Sequence, residues 1–140
     1  MIAITEERVL KRVAALSAAE HYYSARPSGD DAAGVWRAPL FGPGRHPLVG
    51  VWVEDACCDV MGMLAGWTVR ADYDGGRLML SLKSRYADSE GDIARPLEEL
   101  IAADVWRRIA SQTAPEAAER SAARCEMLRH RVLCLLAAGQ

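Results

Sequence analysis

Apolar residues recur along most of this chain at one of two spacings, and the places where the spacing changes divide it into elements. Thr5 precedes Glu6 and Glu7, and Val9, Val13 and Leu16 then follow at three- and four-residue steps. A hydroxyl ahead of two carboxylates and an apolar stripe marks a helix start. The hydroxyl satisfies a free N–H, and acidic groups suit the positive end of the helix dipole. A first helix is predicted from Glu6 to Tyr23, ended ahead of Pro27. A second stripe of Val49, Trp52, Ala56, Val60, Leu64 and Trp67 predicts a helix that begins near Leu48 and closes near Gly66.

The period then drops to two. Val69, Ala71 and Tyr73 alternate, Asp74-Gly75-Gly76 supplies a turn, and Leu78, Leu80 and Leu82 alternate after it. This predicts a β-hairpin. A lone hairpin is marginal in water, so the leucine face is expected to lie on a helix or on another subunit's sheet. After a polar loop at residues 87–92, Pro96 suits the first turn of a third helix with Leu97, Leu100, Ile101, Val105 and Ile109 on its apolar face. Thr113 and Glu116 have capping-box spacing around Pro115. They would open a last helix with Ala118, Ala122, Cys125, Leu128, Val132 and Leu135 as its stripe and Gly139 at its end. The short break predicts that the last two helices pack antiparallel. Trp106 would cover that corner, with Arg107 and Arg108 pointing outward.

Residues 25–47 follow neither period. They hold four of the six prolines and four glycines, and read as one long loop. The fold class expected is α+β, mainly α: about four helices in a small bundle, with one β-hairpin between the second and third. Residues 1–140 are expected to form one domain.

Composition narrows the classes of function. At 140 residues and 51% hydrophobic, the chain can bury a core without disulfides or a metal. A net charge of −2 is not that of a polyelectrolyte binder. The start of the chain has no apolar signal-peptide core. The most apolar stretch, Leu48 to Trp67, is interrupted by Glu54, Asp55 and Asp59, so no membrane span is expected. A soluble, cytoplasmic protein is the expectation. The four cysteines form no C-x-x-C pair, and Cys57 and Cys58 would point about 100° apart on a helix, so free thiols are expected.

Motifs for chemistry are sparse. Asp55 and Asp59 share a helical face, and the simplest reading is a solvated polar surface. His21, His46 and His130 are isolated in sequence, with Glu126 four residues before His130. The glycines around Pro43 match no phosphate loop. No catalytic residue, cofactor-binding residue or metal ligand is expected. Arg120, Arg124 and Arg131 fall on one side of the last helix. They read either as phosphate contacts or as long side chains lying along the surface and partly paired. No aromatic residues interleave with them, and nucleic acid is not expected as a specific ligand. Trp52 and Trp67 read as core, while Trp36 and Trp106 suit an interface, where tryptophan is enriched. The residues expected to make contacts are Trp36, Leu40, Phe41, Tyr73, Leu78, Trp106, Arg120, Arg124 and Arg131.

The layout resembles small phage and prophage structural proteins of the head–tail connector (adaptor) class. The likeness runs through "ITEERVLKRVAALSA", the long helix "LVGVWVEDACCDVMGMLAGW", the strand "GGRLMLSLKSR" and the tryptophan-bearing helix "PLEELIAADVWRRIAS". Trp106 falls where such proteins often carry an aromatic cluster before the last break. The chain departs from them in its longer proline-rich loop and in Gly50 and Gly62. The resemblance implies a non-enzymatic, ring-forming assembly module without a cofactor. Its partners would be other copies of itself or phage portal and tail proteins, in the cytoplasm or in the virion after assembly. The alternative is a stand-alone bacterial protein- or nucleic-acid-binding module using the Trp36 loop and the Arg120–Arg131 face. A third class, a small enzyme with a pocket under the long loop, is raised by the tendency of long loops to carry function.

Overall fold

In the computed structural model, residues 1–23, 40–41 and 45–139 are described. Trp36 and most of the predicted 25–47 loop lie outside them. The elements in chain order are β1 (Ile2–Thr5), α1 (Glu6–Tyr23), α2 (Val49–Met63), β2 (Thr68–Asp74), β3 (Arg77–Leu82), α3 (Glu90–Ala110) and α4 (Pro115–Ala138). A 3₁₀ segment, Ser84–Ser89, leads into α3. The chain is thus α+β and mainly helical, with four helices and a three-stranded antiparallel sheet of order β1-β3-β2 among the described residues.

Each element follows from local chemistry. Thr5 Oγ1 accepts the Arg8 N–H at 3.3 Å, so α1 starts where the hydroxyl reaches back to its first turn. Gly75 and Gly76 take φ of 59° and 74°, the left-handed values that a two-residue turn needs to match the strand twist. Leu78, Leu80 and Leu82 all face inward and are buried. They lie on this chain's own helices, one of the two placements expected of them.

The sheet has a strand beyond the predicted hairpin. β1 pairs with β3, with Ile2 opposite Leu80 and Ile4 opposite Leu78. Ile2 and Ile4 are buried, and each contributes roughly 1.5–3 kcal/mol by leaving water. The Glu6 N–H continues the ladder to the Gly76 carbonyl at 2.8 Å, which joins the start of α1 to the hairpin turn.

Helix α3 is the centre of the molecule. Ile93, Leu97, Leu100, Ile101, Val105 and Ile109 are buried on one side, and Ala102, Ala103, Trp106 and Ala110 on another. A helix apolar around most of its circumference sits in a core rather than on it. The other three helices and β1 all pack against it. Glu98, 4% exposed on this helix, is met by Arg8 Nε at 2.9 Å and Arg12 Nε at 2.5 Å, both from α1.

Three local expectations are corrected. The segment 87–92 is not a loop: it runs from the 3₁₀ segment into α3, which places Pro96 well inside the helix. The N–H that proline lacks costs α3 one internal hydrogen bond. Thr113 and Glu116 do not form a capping box. The N-cap of α4 is Ala114, without a side-chain bond, and Pro115 occupies the first turn. The inner stripe of α4 is also rotated, with Ala117, Ser121 and Leu136 buried in place of Ala118, Ala122 and Leu135. Ser121 is tolerated there because its hydroxyl donates to the Ala103 carbonyl at 2.7 Å.

Candidate functional site

Small side chains on α4 let it approach α3 closely, and α1 lies on the other flank of α3. A groove of about 580 Å³ runs between α1 and α4. Leu16, Ala19 and Glu20 line one wall, Glu116, Ala117, Arg120, Ser121 and Arg124 the other, and Trp106 lies at its base. Trp106 is only 5% exposed, so its ring mainly seals the α3–α4 corner, as the sequence suggested.

The groove's rim is an ion-paired surface. Arg120 grips Glu20 through both Nε and an Nη, at 2.9 and 2.6 Å. That bond raises the Arg120 guanidinium further above its already high pKa. Arg124 reaches Glu99 of α3 at 3.6 Å. Arg131 is exposed farther along α4. Two of the three arginines on this face therefore bridge helices of their own chain, which uses donors that a phosphate would require.

The Asp55 and Asp59 carboxylates are exposed, as expected of a polar face, and both also lie within reach of an arginine of α3. Arg108 lies 2.9 Å from Asp59 and 3.7 Å from Asp55 on α2, and 3.3 Å from Asp104 on α3. Its Nε is buried and makes no hydrogen bond. Arg107 pairs with Asp104 at 2.6 Å. The expectation that both arginines point outward is thus corrected for Arg108, which crosses to α2 because three carboxylates surround its position.

The hairpin brings Tyr73 and Leu78 into direct cross-strand register. Leu78 is fully buried and belongs to the core, and so does Leu40. Neither side chain is available to a partner while the chain is folded. Tyr73 is half-buried, and its hydroxyl is pushed up to about 12, first by desolvation and then by Cys57, Glu6 and Glu54 nearby. Phe41 is 41% exposed. β2 itself is an edge strand, with Val69 forming a bulge opposite β3 and 69% exposed.

Titratable chemistry is limited. Cys57 is pushed up to about 12 and Cys125 to about 11, in both cases mainly by burial. Such thiols stay protonated and inert. Cys58 and Cys134 are exposed. Cys134 Sγ lies 3.4 Å from His130 Nε2, one helical turn away, a contact that the four-residue spacing already allowed. Glu126, the partner considered for His130, pairs with Arg129 instead. His46 stacks on Trp52 with ring centroids 5.2 Å apart. Among the described residues, no group of three or more His, Cys, Asp or Glu side chains is arranged to hold a metal ion, and no helix is long and apolar enough to cross a membrane. No family model, curated protein or solved structure matches the chain.

Proposed function

We propose that this chain is a non-enzymatic structural and assembly protein of phage or prophage origin. It is a head–tail connector-like module whose work is done by surfaces that other subunits touch. The observation that carries this reading is the contrast between the two kinds of surface on the molecule. The α1–α4 groove is crossed at its rim by the chain's own Arg120–Glu20 pair, whereas among the described residues the seven-residue strand β2 lies at the edge of the sheet. Edge strands recruit further chains through backbone hydrogen bonds. A rigid helical body behind such an edge suits a part that positions neighbours. The helix-bridging arginines also weigh against the alternative of a nucleic-acid-binding module built on the Arg120–Arg131 face.

Particles purified after prophage induction in a strain that expresses the chain test this reading. The expected result is that the chain sediments with portal and tail proteins at a fixed ratio, read by mass spectrometry. A chain abundant in the lysate yet absent from particles, and unable to bind purified portal or tail proteins, overturns it.

A further inference from the structure

The backbone of β2 is half used. The ladder between β3 and β1 continues through the Glu6 N–H to the Gly76 carbonyl, so the even-numbered residues of β3 turn their backbone groups toward β1. Its odd-numbered residues turn theirs toward β2. In the register that pairs Arg77 with Asp74, Met79 with Asp72 and Ser81 with Arg70, the bonded residues of β2 are Arg70, Asp72 and Asp74. Ala71 and Tyr73 therefore point their N–H and C=O groups away from β3. No strand lies beyond β2 among the described residues.

The side chains along this edge are self-complementary. Arg70 is exposed and Asp72 half-buried, and they bond each other along the strand at 2.9 Å. An antiparallel pairing of β2 with a second β2 must match outward-bonding residues with one another, so it centres on a residue and not between two. Centring on Arg70 sets two guanidinium groups opposite each other. On Asp72 it sets Arg70 opposite Asp74 but opposes two Asp72 carboxylates at the axis, and on Tyr73 it opposes Asp72 to Asp74. Of these registers only the one centred on Ala71 opposes no like charges, and it sets each Arg70 opposite Asp72 of the other copy. Unlike charges directly across strands stabilise a sheet, and like charges oppose it.

We infer that two copies of this chain pair β2 to β2 in antiparallel register about Ala71, exchanging the Arg70–Asp72 contact within each strand for two contacts between copies. The product is a continuous six-stranded sheet with a two-fold axis at Ala71. This rests on the reading of the chain as a self-assembling module and names the surface by which it does so.

Sedimentation of the purified full chain across a concentration series, with thermal unfolding to check each variant, tests the pairing. A concentration-dependent dimer is expected. R70D and D72R should each weaken it by about tenfold, because each places like charges opposite one another twice. The double swap R70D/D72R should restore it. Ala71→Pro removes an N–H that the chain's own ladder does not use, and should abolish the dimer while leaving a folded monomer. A chain that stays monomeric at every concentration overturns the inference, as does a dimer indifferent to these changes or a double swap that does not recover. None of these outcomes bears on whether the chain enters particles, so the functional reading stands or falls separately.

Discussion

Cys57 and Cys58 are neighbours in sequence with opposite environments, since one turns into the core and the other into solvent. The same division separates Cys125 from Cys134. At neutral pH an aromatic disulfide reagent should modify Cys58 and Cys134 readily, and Cys57 and Cys125 only once denaturant opens the core. Fast labelling of all four would contradict the buried placement. Burial has a thermodynamic counterpart at alkaline pH. The ordinary thiol value is 9.0, and Cys57 is pushed up to about 12, so the unfolded chain loses this proton first. Its contribution to stability is complete below pH 9 and declines as pH rises toward 12, and Tyr73 acts in the same direction from 10 upward. Denaturant midpoints measured across that range should fall, and Cys57→Ala should flatten part of the slope. Glu90 works at the acid end. The α-ammonium of Met1 at 2.5 Å, and then the Leu82 N–H at 3.0 Å, hold its carboxyl below the usual range. That stability is present above the ordinary carboxylate pKa and is lost as pH falls through the lowered one. Glu90→Gln should therefore remove part of the acid dependence of unfolding.

At the scale of elements, the hairpin is the most sharply specified piece. Gly76→Ala should cost about 1 kcal/mol in equilibrium unfolding, because a Cβ resists its φ of 74°. At Gly75, Asn should be tolerated far better than Ala or Val. A loss at Gly75→Asn equal to that of Val would show that something other than backbone conformation governs the turn. The link between α2 and α3 is a second test. Arg108→Ala should cost about 1 kcal/mol or somewhat more, since Asp55 and Asp59 are largely exposed and return to water when it goes. Long periodic elements were legible in the sequence for the same reason that they are stable: α1 and the hairpin repeat one spacing long enough for it to register. β1 was not, because four residues that end on the helix cap show only two cycles of alternation. The 3₁₀ approach to α3 was hidden by its polarity, and Pro96 drew the predicted start inward. Ser121 was passed over in the stripe of α4 because nothing local announces the Ala103 carbonyl that satisfies it. The same blindness to distant partners applied to Arg108, whose three carboxylates come from two helices. Of the predicted contact residues, the sequence could mark Trp106 as covering the corner of the last two helices and Arg120 and Arg124 as sharing one side of the last helix. It could not tell a residue that closes its own fold from one that waits for another chain.

The whole molecule is organised around α3, and its least forgiving point is Glu98, a carboxylate 4% exposed between two arginines of α1. Removing both arginines leaves a buried charge without compensation. The R8A/R12A pair should destabilise the protein by about 3–5 kcal/mol, whereas an apolar replacement of all three groups should recover much of that loss. Chemical denaturation of the two sets decides it. If R8A/R12A costs no more than a surface change, Glu98 is solvated in solution.

The placement of β1 bears on how the protein is made. Ile2 and Ile4 are synthesised long before Leu80 and Leu78, the residues that they will face. At roughly 5–20 residues per second, several seconds pass before the receiving strand exists. Through that interval two isoleucines travel with α1 and have nowhere to settle. Slowing translation between Tyr23 and Leu80 with synonymous codons should lower the soluble yield while leaving the purified protein equally stable.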